Sequence, residues 1–134
     1  MNGRSEHTFV LDSNFVIDFL NNKIAEFPTC EWTEAQYFVS IITRMEILAA
    51  PKSTPEDEKD AHTFLSGVTV IPLTDEVERV AIEIRRRNAT QKPKIKLPDA
   101  IIAATAIALD ATLVTRDSDL LKLNFPGLST LSIA

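Results

Sequence analysis

Five acids stand apart from the other Asp and Glu residues of this chain, because each falls where an apolar run ends or is interrupted. Asp12 follows Phe9-Val10-Leu11, and Glu46 lies between Met45 and Ile47-Leu48. Asp99 opens the run Ala100-Ile101-Ile102-Ala103-Ala104, and Asp117 and Asp119 follow Leu113-Val114-Thr115. Carboxylates crowded at the mouths of apolar elements are costly: two of them ~4 Å apart repel by roughly 4 kcal/mol even at an effective dielectric of about 20. Four such loci converging on one edge require a cation. Hard oxygen ligands suit Mg2+ or Mn2+, which keep several waters and take only one or two protein carboxylates each, leaving room for substrate phosphates. An ion held in this way lowers the pKa of a bound water and stabilises a leaving oxygen, so phosphodiester hydrolysis is the chemistry this residue set serves. Taken singly, Asp99 also suits the dipole of a helix first turn and Asp117 the cap of the following turn. Only their joint placement points to a metal site.

That convergence depends on the elements. Thr8-Phe9-Val10-Leu11 reads as a short buried strand, with Ser13 as the expected N-cap of a helix from Asn14 to Leu20. After a connection containing Pro28, Tyr37 to Ser40 reads as a second strand and Ile42 to Ala50 as a helix stopped by Pro51. Thr54-Pro55-Glu56-Asp57 combines a cap, a proline at the first helical position and first-turn acids, predicting a helix to about Ser66, ended by Gly67. Val68 to Ile71 is a third strand. Thr74-Asp75-Glu76 caps a long helix with Val77, Val80, Ala81 and Ile84 on one stripe. Leu97-Pro98-Asp99 opens a helix through Leu109 that is apolar on nearly every side and therefore buried. Thr112 to Thr115 makes a fourth strand, Ser118 to Leu123 a short helical turn, and Leu128 to Ile133 a last strand.

Strands alternating with helices imply a mainly parallel sheet covered on both faces, an α/β chain forming a three-layer α/β/α sandwich of about five strands. In such sheets ligands bind beyond the carboxyl ends of the strands, which is why these five acids are selected. The 134 residues, 45% of them hydrophobic, suit one domain spanning 1–134, with residues 1–6 expected to be a flexible tail. No run approaches the ~20 apolar residues that span a bilayer, and the start of the chain carries no secretory pattern, so a cytoplasmic protein is expected. Cys30 is the only cysteine, which excludes an internal disulfide or a thiolate metal site.

The net charge is −5, yet Arg85 to Lys96 holds six of the 14 basic residues and no acid. The strip suits the negative end of a helix, and it equally suits contact with phosphates, for which Arg86, Arg87, Lys92, Lys94 and Lys96 are the candidates. Glu56, Asp57, Glu58 and Asp60 read as one exposed helical face, and Asp18 is expected to face solvent.

Four segments carry a family resemblance. Val10-Leu11-Asp12-Ser13-Asn14, Thr43-Arg44-Met45-Glu46-Ile47-Leu48, Leu97-Pro98-Asp99-Ala100-Ile101-Ile102-Ala103-Ala104-Thr105-Ala106 and Leu113-Val114-Thr115-Arg116-Asp117-Ser118-Asp119-Leu120 resemble, in order, the four motifs of PIN-domain proteins. Within that superfamily the chain is similar to the VapC-type toxins of bacterial toxin–antitoxin pairs. The resemblance covers nearly the whole chain, and the third motif is the most specific. It implies a Mg2+- or Mn2+-dependent endoribonuclease with Asp12, Glu46 and Asp99 as an acidic triad and Asp117 as the fourth member. In the commoner final motif a second acid falls farther on and is followed by an aromatic. This sequence departs from that pattern, so Asp117 is the expected ligand of this segment and Asp119 only an alternative. The resemblance also implies that the Thr115 hydroxyl orders the last loop, that a cognate antitoxin wraps or enters the cleft, and that the chain forms a homodimer across an apolar helix face. Asn14 suits a hydrogen bond to the acids and equally an ordinary place in a helix first turn.

Other chemistries fit less well. A phosphoaspartate phosphatase wants a second Asp two positions after the nucleophile, where Asn14 stands. A receiver would need its acid at the end of the third strand, where Asp75 reads better as a helix first-turn residue. Gly3, Gly67 and Gly127 are too scattered for a phosphate-binding loop, and His7 and His62 stand alone. The remaining alternative is a PIN-like module that binds RNA or protein without cutting.

Overall fold

The computed structural model describes residues 7–22, 35–92 and 94–132. The expected tail at 1–6, the connection containing Pro28, Cys30 and the end of the last strand at 133 lie outside them. The elements run β1 (Thr8–Leu11), α1 (Ser13–Leu20), β2 (Gln36–Ser40), α2 (Ile41–Ala49), α3 (Pro55–Ser66), β3 (Thr69–Ile71), α4 (Asp75–Arg87), α5 (Leu97–Ala108), β4 (Thr112–Thr115), α6 (Ser118–Lys122) and β5 (Ser129–Ser132). The five strands form one sheet in the order β3-β2-β1-β4-β5, with every neighbouring pair parallel. The expected parallel α/β sandwich is therefore the observed architecture.

Strand alternation builds the two cores. Phe9, Leu11, Val39 and Val114 point to one face and pack with Phe15, Val16, Ile47, Ala61 and Leu65 from α1, α2 and α3. Val10 and Leu113 point to the other, against α4 and α5 through Val77, Ile84, Ile102 and Ala103. The predicted stripe Val77, Val80, Ala81 and Ile84 is the buried face of α4, and α5 is buried from Ala100 through Ala106. Its alanines let α5 lie close to both the sheet and α4. No helix among the described residues is long and apolar enough to cross a membrane.

Caps set the helix starts. Thr54 and Thr74 accept from the amides of Asp57 and Val77, each at 3.1 Å, as the cap sequences predict. At the far end of α5, Asp110 adopts φ 53°, with Ala111 N donating to Ala106 O and Asp110 N to Ile107 O. This closing turn redirects the chain into β4. Successive connections leave β1 toward β2 on one side, while β4 lies on the other, so β1 and β4 flank the point where the winding reverses. Ligand crevices open at the carboxyl end of such a point.

Candidate active site at the carboxyl ends of β1 and β4

Asp12 immediately follows β1, with its backbone N–H donating to Val114 O of β4 at 2.9 Å. It is 2% exposed. Asp12, not Ser13, is the N-cap of α1: its Oδ1 accepts from Ser13 N at 2.8 Å. The helix therefore begins one residue before the sequence-based expectation, because the carboxylate is the better positioned acceptor for its free amides. Oδ2 accepts from the Thr115 hydroxyl at 2.8 Å, and that hydroxyl oxygen in turn accepts from Asp117 N at 3.0 Å. Thr115 thus ties the end of β4 to the end of β1 and fixes the turn carrying Asp117. Asp117 caps α6, its Oδ1 accepting from Asp119 N at 2.7 Å and Leu120 N at 3.4 Å.

Glu46 comes from the middle of α2 and is brought to the same edge by Ser13, whose hydroxyl donates to Glu46 Oε1 at 2.5 Å. Ser13 Oγ also lies 3.1 Å from Thr43 Oγ1. Since its one proton goes to Glu46, the Thr43 hydroxyl is the donor in that pair. Ser13 and Thr43 are both buried, and sequence reasoning assigned neither a role at the acids. Thr43 does precede Glu46 by one helical turn, the spacing that puts two side chains on one face. Asn14 is exposed in the first turn of α1. Asp18 was expected to face solvent, but it is only partly exposed and pairs with Arg116 at 3.0 Å. The fold brings Arg116, just after β4, alongside α1, a contact that the spacing along the chain does not announce. Glu56, Asp57, Glu58 and Asp60 lie on an exposed face of α3, as expected.

The acids feel one another. Burial pushes the Asp12 carboxyl up to about 6, opposed by the Thr115 hydroxyl and the Ser13 amide and reinforced by the charges of Asp99 and Asp117. Asp99, half-buried in the first turn of α5, is also raised, by burial first and then by Asp117 and Glu46, with Lys96 opposing and Asp119 adding. Asp12, Glu46, Asp99, Asp117 and Asp119 therefore share one electrostatic neighbourhood. Among the described residues, no three His, Cys, Asp or Glu side chains form a group that could hold a metal ion. The donor chemistry is nonetheless that of a hydrated divalent cation, which needs one or two carboxylates rather than a closed protein cage. Carboxylates held unfavourably close, and fixed in place by hydroxyl and amide donors, fit such an ion.

The basic strip divides. Arg85 and Arg86 border an apolar groove between α4 and α5, with a cavity of about 530 Å³ lined by Leu73, Ala81, Ile82, Leu97 and Ile101. Arg87 is engaged by Glu83 at 2.9 Å and lies 5.1 Å from the centre of the Phe125 ring. Lys96 stands at the N-cap of α5 beside Asp99, and Lys92 and Lys94 are exposed on the preceding turn.

A wholly parallel sheet between two helical layers, with acids gathered where its winding reverses, defines an α/β protein with a carboxylate site at the strand ends. The PIN domain profile matches residues 9–126, a span that contains all five of these acids, and the chain belongs to the PIN domain family. A comparison with curated proteins gave no match. Among solved structures, the chain is similar to the VapBC2 complex of Rickettsia felis bound to a promoter DNA fragment, at 20% identity, TM-score 0.77, covering 95% of this chain and 99% of that one. It is similar to a toxin–antitoxin complex from Klebsiella pneumoniae, at 27% identity, TM-score 0.67, covering 90% of this chain and 95% of that one. It is also similar to DNA-bound VapBC from Salmonella typhimurium, at 19% identity, TM-score 0.72, covering 93% and 97%.

Proposed function

We propose that this PIN-domain protein is a Mg2+- or Mn2+-dependent endoribonuclease acting in the cytoplasm as the toxin of a type II toxin–antitoxin pair. The observation that supports this most directly is the burial of Asp12 beside the charges of Asp99 and Asp117, which raises its carboxyl to about 6. Such an arrangement is destabilising by itself and becomes favourable around a cation. Asp12, Glu46, Asp99 and Asp117 would hold the ion, with Asp119 as an additional ligand. When bound, the ion supplies Lewis-acid stabilisation of phosphoryl oxygens and acidifies a water. Thr115 holds Asp12 and the Asp117 turn in register and Ser13 aims Glu46, and Asn14, exposed in the first turn of α1, is proposed as a supporting residue. Arg86, Arg87, Lys92, Lys94 and Lys96 are the cations available to the RNA backbone, with Lys92 and Lys96 on the side of the acids.

Purified protein is expected to cleave RNA when Mg2+ or Mn2+ is added, and Asp12→Asn and Asp99→Asn are expected to abolish cleavage while remaining folded. Cleavage by both variants at the parent rate would refute the nuclease reading. Metal-independent RNA binding without cleavage by the parent would make the protein a non-catalytic PIN-like module.

The proposed partners are a cognate antitoxin and a second copy of the chain. Structural neighbours that are toxin–antitoxin complexes support the first, and co-purification with the product of an adjacent gene tests it. For the second, Leu73, Ile82 and Leu97 are each about half exposed along the α4–α5 groove. Glu78 and Arg85 flank this apolar strip about two helical turns apart on α4. A two-fold axis would set Glu78 of one protomer against Arg85 and Arg86 of its partner and repeat the contact in reverse. Ile82→Glu is expected to convert a dimer into a monomer in light scattering; an unchanged dimer mass would exclude this face.

A further inference from the structure

Beyond the acids, the side chain of Asn88 at the end of α4 binds two residues that follow it. Asn88 is buried, its Oδ1 accepts from Ile95 N at 2.8 Å, and its amide nitrogen donates to Gln91 Oε1 at 3.1 Å. Asn88 lies beside a cleft of about 80 Å³ between the end of α4 and α6, lined by Gln91, Lys92, Asp119 and Lys122 as well as by the apolar Ile95 and Leu123. Lys92, after the end of α4, and Lys122, in α6, both line it, and among the described residues neither ammonium is engaged in an ion pair. Gln91 spends its carbonyl on Asn88, so its amide N–H groups remain to be given to a ligand. The cleft borders the acids directly, because Asp119 lines it and its charge also acts on Asp99.

We propose that this cleft is a subsite for a backbone phosphate of the RNA strand, flanking the bond at the acids and clasped between Lys92 and Lys122. The proposal rests on the ribonuclease reading and deepens it by giving the strand a direction of exit. With two lysines against the single carboxylate of Asp119, the cleft keeps a net positive charge that favours an anion, and ammonium groups bind phosphate as point charges without demanding a particular base. Asn88 already holds Gln91, the neighbour of Lys92, so binding does not have to place that donor. Asp119 repels a phosphate at one end and biases it toward the two lysines. Arg86 borders the α4–α5 groove and Arg87 is held by Glu83 and Phe125, so neither lines this cleft or competes for a phosphate in it. Lys122 lies outside the basic strip, and the fold alone supplies it.

The test is binding of a short fluorescein-labelled single-stranded RNA, read by anisotropy over a series of salt concentrations, to wild-type protein in EDTA and to the Asp12→Asn protein. Lys92→Ala and Lys122→Ala are each expected to reduce the slope of log affinity against log salt by ~0.7, and the double variant by roughly twice that. Lys122→Arg is expected to keep the parental slope, as is Lys59→Ala on the exposed face of α3. Cleavage by wild type with Mg2+ is scored in parallel. A parental slope in the double variant, with wild type cleaving RNA, would overturn the subsite and leave the nuclease reading intact. Failure of wild type both to bind and to cut RNA would remove the reading itself and the subsite with it. Loss of antitoxin binding in the double variant with RNA binding unchanged would make the cleft a protein interface and overturn the proposal.

Discussion

Replacing Asp12 by Asn tests the electrostatic argument without any substrate. In the folded protein the Asp12 carboxyl titrates at about 6, against an ordinary value of 3.8. Between these values the native state holds a proton that the unfolded chain has released, so native stability falls as pH rises through this window. Below it the contribution is fully present, and above it the lost contribution is about 3 kcal/mol, at roughly 1.4 kcal/mol for each tenfold change in proton affinity. Asp12 is 2% exposed, so solvent does little to weaken this figure. Asn keeps an acceptor for Ser13 N but disturbs the Thr115 hydroxyl bond, at a pH-independent cost of about 1 kcal/mol. In EDTA the variant is therefore expected to be about 1 kcal/mol less stable than wild type near pH 3 and about 2 kcal/mol more stable near pH 8. The two stabilities cross in between. For a chain of this size the difference near pH 8 corresponds to roughly 6–8 °C in melting temperature. Thermal melts followed by circular dichroism across this range measure it, and Mg2+ is expected to raise the melting temperature of wild type more than that of the variant. A wild-type-minus-variant difference that stays flat with pH would show that Asp12 is not held against its own charge.

Ser13→Ala removes the hydroxyl that holds Glu46. The Mg2+ concentration needed for half-maximal cleavage is expected to rise roughly 10–100-fold, with rescue by Ser13→Thr, in steady-state assays over a Mg2+ series. Thr115→Val leaves both Asp12 Oδ2 and Asp117 N without a partner. It is expected to cost about 1–3 kcal/mol in urea unfolding and to move the Asp12 titration further upward in carboxyl-carbon NMR, since the lost bond favours the charged form. Ile102→Ala in the buried helix α5 is expected to cost roughly 2–5 kcal/mol in the same unfolding assay while leaving the acids in place.

The order and kind of the elements were legible along the chain because their signals are local. The short apolar run Phe9-Val10-Leu11, the Thr54-Pro55 and Thr74-Asp75 starts, and the apolar run after Asp99 each determine a conformation through neighbours within a turn or two. Alternating strands and helices then determine a parallel sheet, and a parallel sheet sends the residues after β1 and β4 to the same edge. That is why Asp12 and Asp117 could be expected at one edge from the sequence alone. Contacts between segments distant in sequence were not legible, because no pattern of spacing encodes them. Only the folded chain lays the Ser13 hydroxyl against Glu46 across 33 positions and Thr115 against Asp12 across 103. It also pairs Asp18 with Arg116, and it divides a continuous basic strip between an apolar groove and a cleft completed by Lys122. Residue type and local period decide what each segment becomes. Which side chains meet depends on how the layers pack, and packing is a property of the whole chain.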